Sequence, residues 1–165
     1  MMTFTNATLV MAATATALMA GLFFAWSCSV TLGLAKLPDA QYIAAIQSMN
    51  RAILNPVFFT FFFGAPLLLP LSAYLNYNPA STRFWLLAGA TVVYVIGVFG
   101  VTVAGNVPLN EAMDKFQLST ASAADMAMQR ARFEIPWNNL NMVRTVCSTI
   151  SVILVIIACL TVKGD

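Results

Sequence analysis

The stretch WNNLNMVRTVCSTISVILVIIACL, Trp137 to Leu160, decides how this chain is read. Beyond Arg144 it continues without a charged residue up to Lys163, close to the roughly 20 apolar residues that a bilayer-spanning helix needs. Yet it carries a guanidinium about two helical turns in from Trp137, or about 10 Å at 1.5 Å per residue. A charge at that depth costs roughly 3 kcal/mol on insertion scales, so it is expected to point into a helix bundle and find partners there.

The composition agrees with a lipid surround. Of 165 residues 60% are hydrophobic and 8% charged, and there is no histidine; the mean hydropathy is +0.82. A soluble domain carries about a quarter charged residues. The chain reads as one integral membrane domain over 1–165, with the lipid bilayer as its first partner. Its net charge of +2 comes from scattered basic residues, which argues against a nucleic-acid partner.

No charged side chain precedes Lys36, and none lies between Arg51 and Arg83, between Arg83 and Glu111, or between Arg144 and Lys163. These intervals predict four spanning helices near 8–34, 56–76, 84–107 and 140–162. The first lacks the basic start and single small-residue cleavage site of a signal peptide, so it reads as a helix of the mature protein. Ala13, Ala17, Gly21, Ala25, Ser29 and Gly33 recur along it at a spacing of four. That pattern lets another helix approach closely in lipid, so the first helix is expected to be central and packed through this face.

The first connection starts a helix at Pro38 and Asp39 and places Tyr42, Ile43, Ile46, Met49 and Ile53 on one face, an amphipathic helix. The second, NYNPAST, is a short turn. The third, from Val107 to about Pro136, holds PLNEAMDKF, then STASAAD as a helix cap, then a polar helix. The predicted fold is therefore an all-α four-transmembrane-helix bundle with amphipathic helices in the first and third loops. Those loops hold Lys36, Arg51, Lys115, Arg130 and Arg132, against Arg83 and Lys163 opposite. The positive-inside rule then places both loops in the cytoplasm and both termini outside; a bacterial inner membrane is the expected location.

Four spans bring the end of helix one, the start of helix two, the end of helix three and the start of helix four to one membrane face. Polar residues gather at that face: Ser27, Cys28 and Ser29; Asn50, Arg51 and Asn55; Asn106 and Asn110; Trp137, Asn138, Asn141 and Arg144. Arg51 and Asn55 are i, i+4, as are Asn106 and Asn110, and Trp137, Asn141 and Arg144 share one helical face. Arg144 is expected to point inward, toward asparagine carbonyls, backbone carbonyls near Pro108, or the carboxylate of Glu111 or Glu134. Its alternative is to snorkel to the headgroups as an anchor.

Other features weigh less. Each asparagine, taken singly, reads as a cap or an interhelical bond. The aromatic run VFFTFFFG, Val57 to Gly64, reads first as lipid-facing packing, with a slot for a flat ligand as the alternative. Cys28, Cys147 and Cys159 read as small buried hydrophobes. Without histidine there is no His-ligated haem, zincin motif or imidazole base, so any catalysis would use carboxylates, arginine, amides or a ligand brought from outside.

Four blocks carry a resemblance: AGLFFAWSCSVTLGLAKLP, AIQSMNRAILNPVFFTFFFGAP, YVIGVFGVTVAGNVPLNEAMD and WNNLNMVRT. In order and spacing they resemble the anthrone oxygenase-like membrane family, most specifically at NRAILNP, Asn50 to Pro56, and NVPLN, Asn106 to Asn110. Relatives often read W-x-x-W-N-H-V-R-T in the last block; here Leu140 and Met142 replace the second Trp and the His, while Trp137, Asn141, Arg144 and Thr145 match. The resemblance implies oxidation of a small hydrophobic polycyclic aromatic, an anthrone, to the quinone by dioxygen without a metal. In that expectation Arg144, Asn141 and Asn106 hold the enolate, and Glu111 or Glu134 is the base. Asn50, Arg51, Asn55, Asn110 and Trp137 contact the substrate.

A competing class is a non-catalytic membrane protein that binds a lipid headgroup or quinone at the same pole, or organises a homo-oligomer through the small-residue face of helix one. Transport is the weaker third reading, since one intramembrane charge is little lining for a pore.

Overall fold

The computed structural model describes residues 2–161; Lys163, used in the orientation argument, lies outside them. Five helices follow in order: α1, Phe4–Leu34; α2, Asp39–Ala52; α3, Pro56–Leu75; α4, Thr82–Asp114; and α5, Ala123–Leu160. All but α2 are long and apolar enough to cross a membrane. Their outward faces carry Leu18, Phe24, Leu67, Ile96 and Ile153, all exposed, which suits lipid rather than water.

Local chemistry sets the helix ends. Thr3 caps α1 by accepting from Asn6 N at 3.2 Å. Asn55 caps α3 by accepting from Phe58 N at 3.0 Å, with Pro56 in the first turn, where its missing N–H costs nothing. The cap expected in STASAAD is a reciprocal box: Ser122 Oγ accepts from Asp125 N at 3.2 Å, and Asp125 Oδ2 accepts from Ser122 N at 3.1 Å. At the far end, Arg83 donates to the carbonyls of Ala158 and Thr161, satisfying orphaned acceptors at the C-terminus of α5.

The four-helix class stands, and the third loop differs in form. Its helical parts are continuous with the spanning helices: α4 runs on to Asp114, and α5 runs from Ala123 through Pro136 to Leu160. Pro108 is tolerated because the ladder is already loosened just before it by a π turn over Thr102–Asn106, where Val107 N–H bonds back to Thr102 O. Pro136 forfeits one backbone bond, while Phe133 and Trp137 on either side are anchored in a buried cluster.

Two clusters hold the bundle. The larger joins α1, α3, α4 and α5 around Leu69, Leu87, Tyr94, Val98 and Val155. The smaller lies at the end where the first and third loops meet: Tyr42, Ile43 and Ile46 of α2 pack on Leu34, Met113, Phe133 and Trp137. This is the apolar face expected from the α2 spacing.

Helix α4 approaches α5 closely because Gly97 and Gly105 lack a side chain. A Cβ on Gly97 would overlap Cys147, and one on Gly105 would lie 2.8 Å from Leu140 Cδ1. Deeper in, Ser151 donates to Ala90 O at 3.0 Å across the same contact.

Two expectations are corrected. Helix α1 packs against α3 and α5, but through Ala12, Ala15, Thr16, Met19 and Phe23. Ala17, Gly21, Ala25, Ser29 and Gly33 face outward, and a Cβ on Gly21 would meet nothing within 4 Å. The neighbouring stripe won because it carries larger apolar groups beside its small ones and so buries more contact surface. Likewise Cys28 and Cys159 are exposed, and Cys147 is half-buried against Gly97 of α4.

Candidate functional site

Helix α5 brings Trp137, Asn141 and Arg144 onto one face, and that face turns into the bundle: all three are buried, Arg144 to 6% exposure. Arg144 Nη2 donates to Asn141 Oδ1 at 2.8 Å, and Nη1 reaches Thr102 Oγ1 at 3.4 Å. The guanidinium carbon lies 4.5 Å from the Phe23 ring centroid and 5.2 Å from that of Trp137, so two aromatic faces share its charge. Its Nε is buried without a partner, and among the described residues no carboxylate pairs with it. Of the partners expected from sequence, an asparagine carbonyl is present. The carbonyls near Pro108 and the two glutamates are not.

Asn141 is tied to α1. Its Nδ2 donates to Ser27 Oγ at 2.8 Å and to Phe23 O at 3.2 Å. Thr145, one turn on, bonds the same carbonyl at 3.1 Å and the same serine at 2.8 Å. Ser27 lies within, and Phe23 just before, a π turn over Trp26–Val30, a local widening that recurs at functional positions in helices. With Nδ2 held by α1, Asn141 must present Oδ1 to Arg144.

Beside Arg144 lies a cavity of about 140 Å³. Its polar lining includes Asn50, Thr102, Asn110, Asn141 and Arg144; Phe23, Trp26, Phe58, Phe59, Phe62 and Trp137 supply aromatic surface. The stretch read first as lipid-facing packing thus contributes three rings to a slot. Trp137 donates from Nε1 to Asn110 Oδ1 at 2.8 Å and packs on Trp26 with centroids 4.9 Å apart. It is a wall of the cavity. Asn106 is buried behind, giving a long 3.4 Å bond to Trp137 O and leaving its Oδ1 unpartnered.

The remaining candidates sit elsewhere. Arg51 pairs with Asp114 at 2.7 Å on the exposed rim. Asn55 is occupied as the α3 cap. Glu111 is exposed and 3.8 Å from Lys115, on a second, outer cavity rather than beside Arg144. Glu134 is bound to Arg130 at 2.7 Å. Both glutamates sit about where the expected spans ended, but their helix faces turn away from the arginine.

Arg130 holds a separate cluster. It also donates to Leu37 O at 2.7 Å, Ala35 O at 2.9 Å and Asp39 at 3.0 Å, and lies over the Tyr42 ring. Burial, then the negative Glu134, push the Tyr42 hydroxyl up, with Arg130 opposing. Together with Gln47, whose Nε2 bonds Met113 O and Phe116 O at 2.9 Å each, this cluster fixes α2 across the end of the bundle.

Thr102, Phe23 and Trp26 were missed as site residues. Thr102 stands four residues before Asn106 and so shares its helical face, a signal available in the sequence. Nothing in the local pattern marks Phe23 among the apolar residues of α1. Among the described residues no three His, Cys, Asp or Glu side chains gather to hold a metal ion.

No curated protein matches the chain, and no solved structure does. A family model described as anthrone oxygenase matches residues 58–154. That match takes in more than half of the chain, begins just after the Asn50 to Pro56 block, and spans Thr102, Asn106, Asn110, Trp137, Asn141 and Arg144. With the buried arginine and its amide partners inside the matched region, the chain belongs to the anthrone oxygenase-like family.

Proposed function

We propose that this protein is a membrane-embedded, cofactor-independent oxygenase that oxidises an anthrone-type polycyclic aromatic, or a related small hydrophobic substrate, with dioxygen. The observation that carries the reading is Arg144: a buried guanidinium with no carboxylate partner among the described residues, facing an aromatic slot. An uncompensated buried cation favours an anion. A flat anion with delocalised charge suits these walls, because the rings accept its faces while the guanidinium takes its oxygen.

The methylene of an anthrone is acidic because the carbanion delocalises onto the carbonyl oxygen. Arg144, oriented by Asn141, stabilises that oxyanion as a fixed donor in a low-dielectric site. The proton leaves to water through the outer cavity, since no carboxylate lines the inner one. The enolate then gives one electron to dioxygen, the radical pair joins to form a carbon–oxygen bond, and the peroxide anion takes a proton back from water. The resulting hydroperoxide loses water as its second C–H proton departs, leaving a carbonyl. One anthrone and one dioxygen become one quinone and one water, the proton first released to solvent being balanced by the one the peroxide takes up.

The test is oxygen uptake by the purified, detergent-solubilised protein with a small anthrone panel, after subtraction of uncatalysed autoxidation. Saturable uptake with quinone formation is expected. Uptake no faster than buffer across the panel would sink the oxygenase reading in favour of the second one, a carrier of a hydrophobic anion or quinone, which the same uncompensated charge supports. Arg144 faces a cavity rather than the headgroups, which favours either of these over a scaffold.

A further inference from the structure

The cavity beside Arg144 is small for the substrate just proposed. At about 140 Å³ it falls below the roughly 300–1,000 Å³ of pockets that enclose drug-sized molecules. A second cavity of about 320 Å³ adjoins it, and Asn50, Ile53, Leu54, Val107 and Asn110 line both. The inner space is walled by aromatic rings and ends at Arg144. The outer one is bordered by Arg51, Glu111, Asp114 and Lys115.

The polar groups in the shared wall are not equivalent. Asn110 Oδ1 is engaged by Trp137 at 2.8 Å, whereas Asn50 Nδ2 is buried without a hydrogen-bond partner. A buried donor left unmade is costly, and this one belongs to a residue that lines both spaces, its Nδ2 tucked into the wall between them. Its helix, α2, is held by Arg130 at Asp39 and the Tyr42 ring and by Gln47, so the backbone of the wall is preformed. Asn50 itself is only half-buried, so a turn about its side-chain torsions is enough to bring Nδ2 onto a ligand in the cavity.

We propose that the two cavities form one elongated site for a flat, multi-ring substrate whose reacting ring lies against Arg144 and whose far edge carries an oxygen acceptor for Asn50. The far edge projects past Ile53, Leu54 and Val107 into the charged outer space. Asn50 is then a specificity residue, and Leu54 and Val107 set the width of the neck. This rests on the oxygenase reading for the substrate's class, and its test is a binding measurement that needs no turnover.

Quenching of tryptophan fluorescence reports binding, since Trp26 and Trp137 line the inner cavity. Anthraquinone, 2-hydroxyanthraquinone and phenol are titrated anaerobically into the solubilised wild-type protein and into the Asn50→Leu, Leu54→Trp and Val107→Trp variants. The wild type is expected to bind the hydroxylated tricycle about 10-fold tighter than the plain one, the order expected of one hydrogen bond. Asn50→Leu should erase that preference and leave anthraquinone affinity in place. Either neck variant that folds should weaken both tricycles at least 10-fold and leave phenol unchanged.

Equal wild-type affinity for the two tricycles, or neck variants that bind them normally, overturns the elongated site. So does absence of tricycle binding. Oxygen uptake with anthrone on the same samples separates the two readings. Turnover without the preference or the neck effect retains the oxygenase and removes the elongated site. The expected binding pattern without turnover does the reverse.

Discussion

Arg144 donates through Nη2 to Asn141 Oδ1 at 2.8 Å, three residues earlier on the same helix. The acceptor is a neutral amide whose own donor is spent on α1, at Phe23 O and Ser27 Oγ. The arrangement holds the guanidinium without neutralising it. A structural ion pair would do the opposite, and that difference can be tested by supplying the missing charge.

Thr102→Asp places a carboxylate where Thr102 Oγ1 now sits 3.4 Å from Nη1. If Arg144 serves only the fold, a counter-ion is neutral or helpful. If it serves an anionic oxygen, the new carboxylate occupies its place. The expected outcome is an apparent melting temperature at or above wild type, with oxygen uptake lowered at least 100-fold, the scale of losing an oxyanion donor. Full activity in this variant would remove the enolate role.

Arg144→Lys keeps the charge and loses the planar fork and the stacking on Phe23 and Trp137. A lysine cannot bond Asn141 and Thr102 while lying flat between two rings. Turnover should fall roughly 10- to 100-fold with the protein still folded, on the scale of misplaced charge stabilisation. Arg144→Met should fall further. A lysine variant as active as wild type would show that a point charge suffices and that the aromatic sandwich has no bearing on the chemistry.

These residues also mark how far the sequence could be read. Charge-free intervals gave the spans, and the face shared by Trp137, Asn141 and Arg144 was legible because all three lie on one helix. The same parity argument brought Asn50, Asn106 and Asn110 to the right end. It could not say which way each side chain turns, so Glu111 and Glu134 were placed by depth alone. The structure turns one to the rim and the other to Arg130. The small-residue series failed for a related reason. Its regular spacing in the sequence left open which of two adjacent stripes faces the bundle, and contact surface settled that in favour of Ala12, Thr16, Met19 and Phe23.

Glu111→Gln should leave uptake within about twofold, because its carboxylate is exposed and lies outside the inner cavity. Glu134→Gln and Arg130→Ala should act on stability. Arg130 is 16% exposed at its side chain and ties the α1–α2 connection to α5. Removing it strands the partly exposed Asp39 and Glu134 and should cost about 1–2 kcal/mol, between an exposed pair and a buried one. The measurement is a melting curve beside a turnover assay at a temperature where both variants are folded. A fall in turnover with Glu111→Gln and no change in melting would restore a base role for that carboxylate.

Two glycines give a contrast that bears on the packing alone. Gly97 faces α5 so closely that a Cβ there would lie 2.7 Å from Cys147 Cβ and overlap the sulfur. Gly21 has nothing within 4 Å of the same added atom. Gly97→Leu should therefore force α4 and α5 apart and lower the melting temperature sharply, since overpacking of this kind costs about 1–3 kcal/mol or more. Because Thr102 and Asn106 ride on α4, the displacement should also weaken binding at Arg144. Gly21→Leu should leave both unchanged in the isolated protein. Should Gly21→Leu instead dissociate a larger species, seen by light scattering in detergent, the outward stripe of α1 would be a contact between copies of this chain, and the bundle core would still be the one assigned to Ala12, Thr16 and Met19.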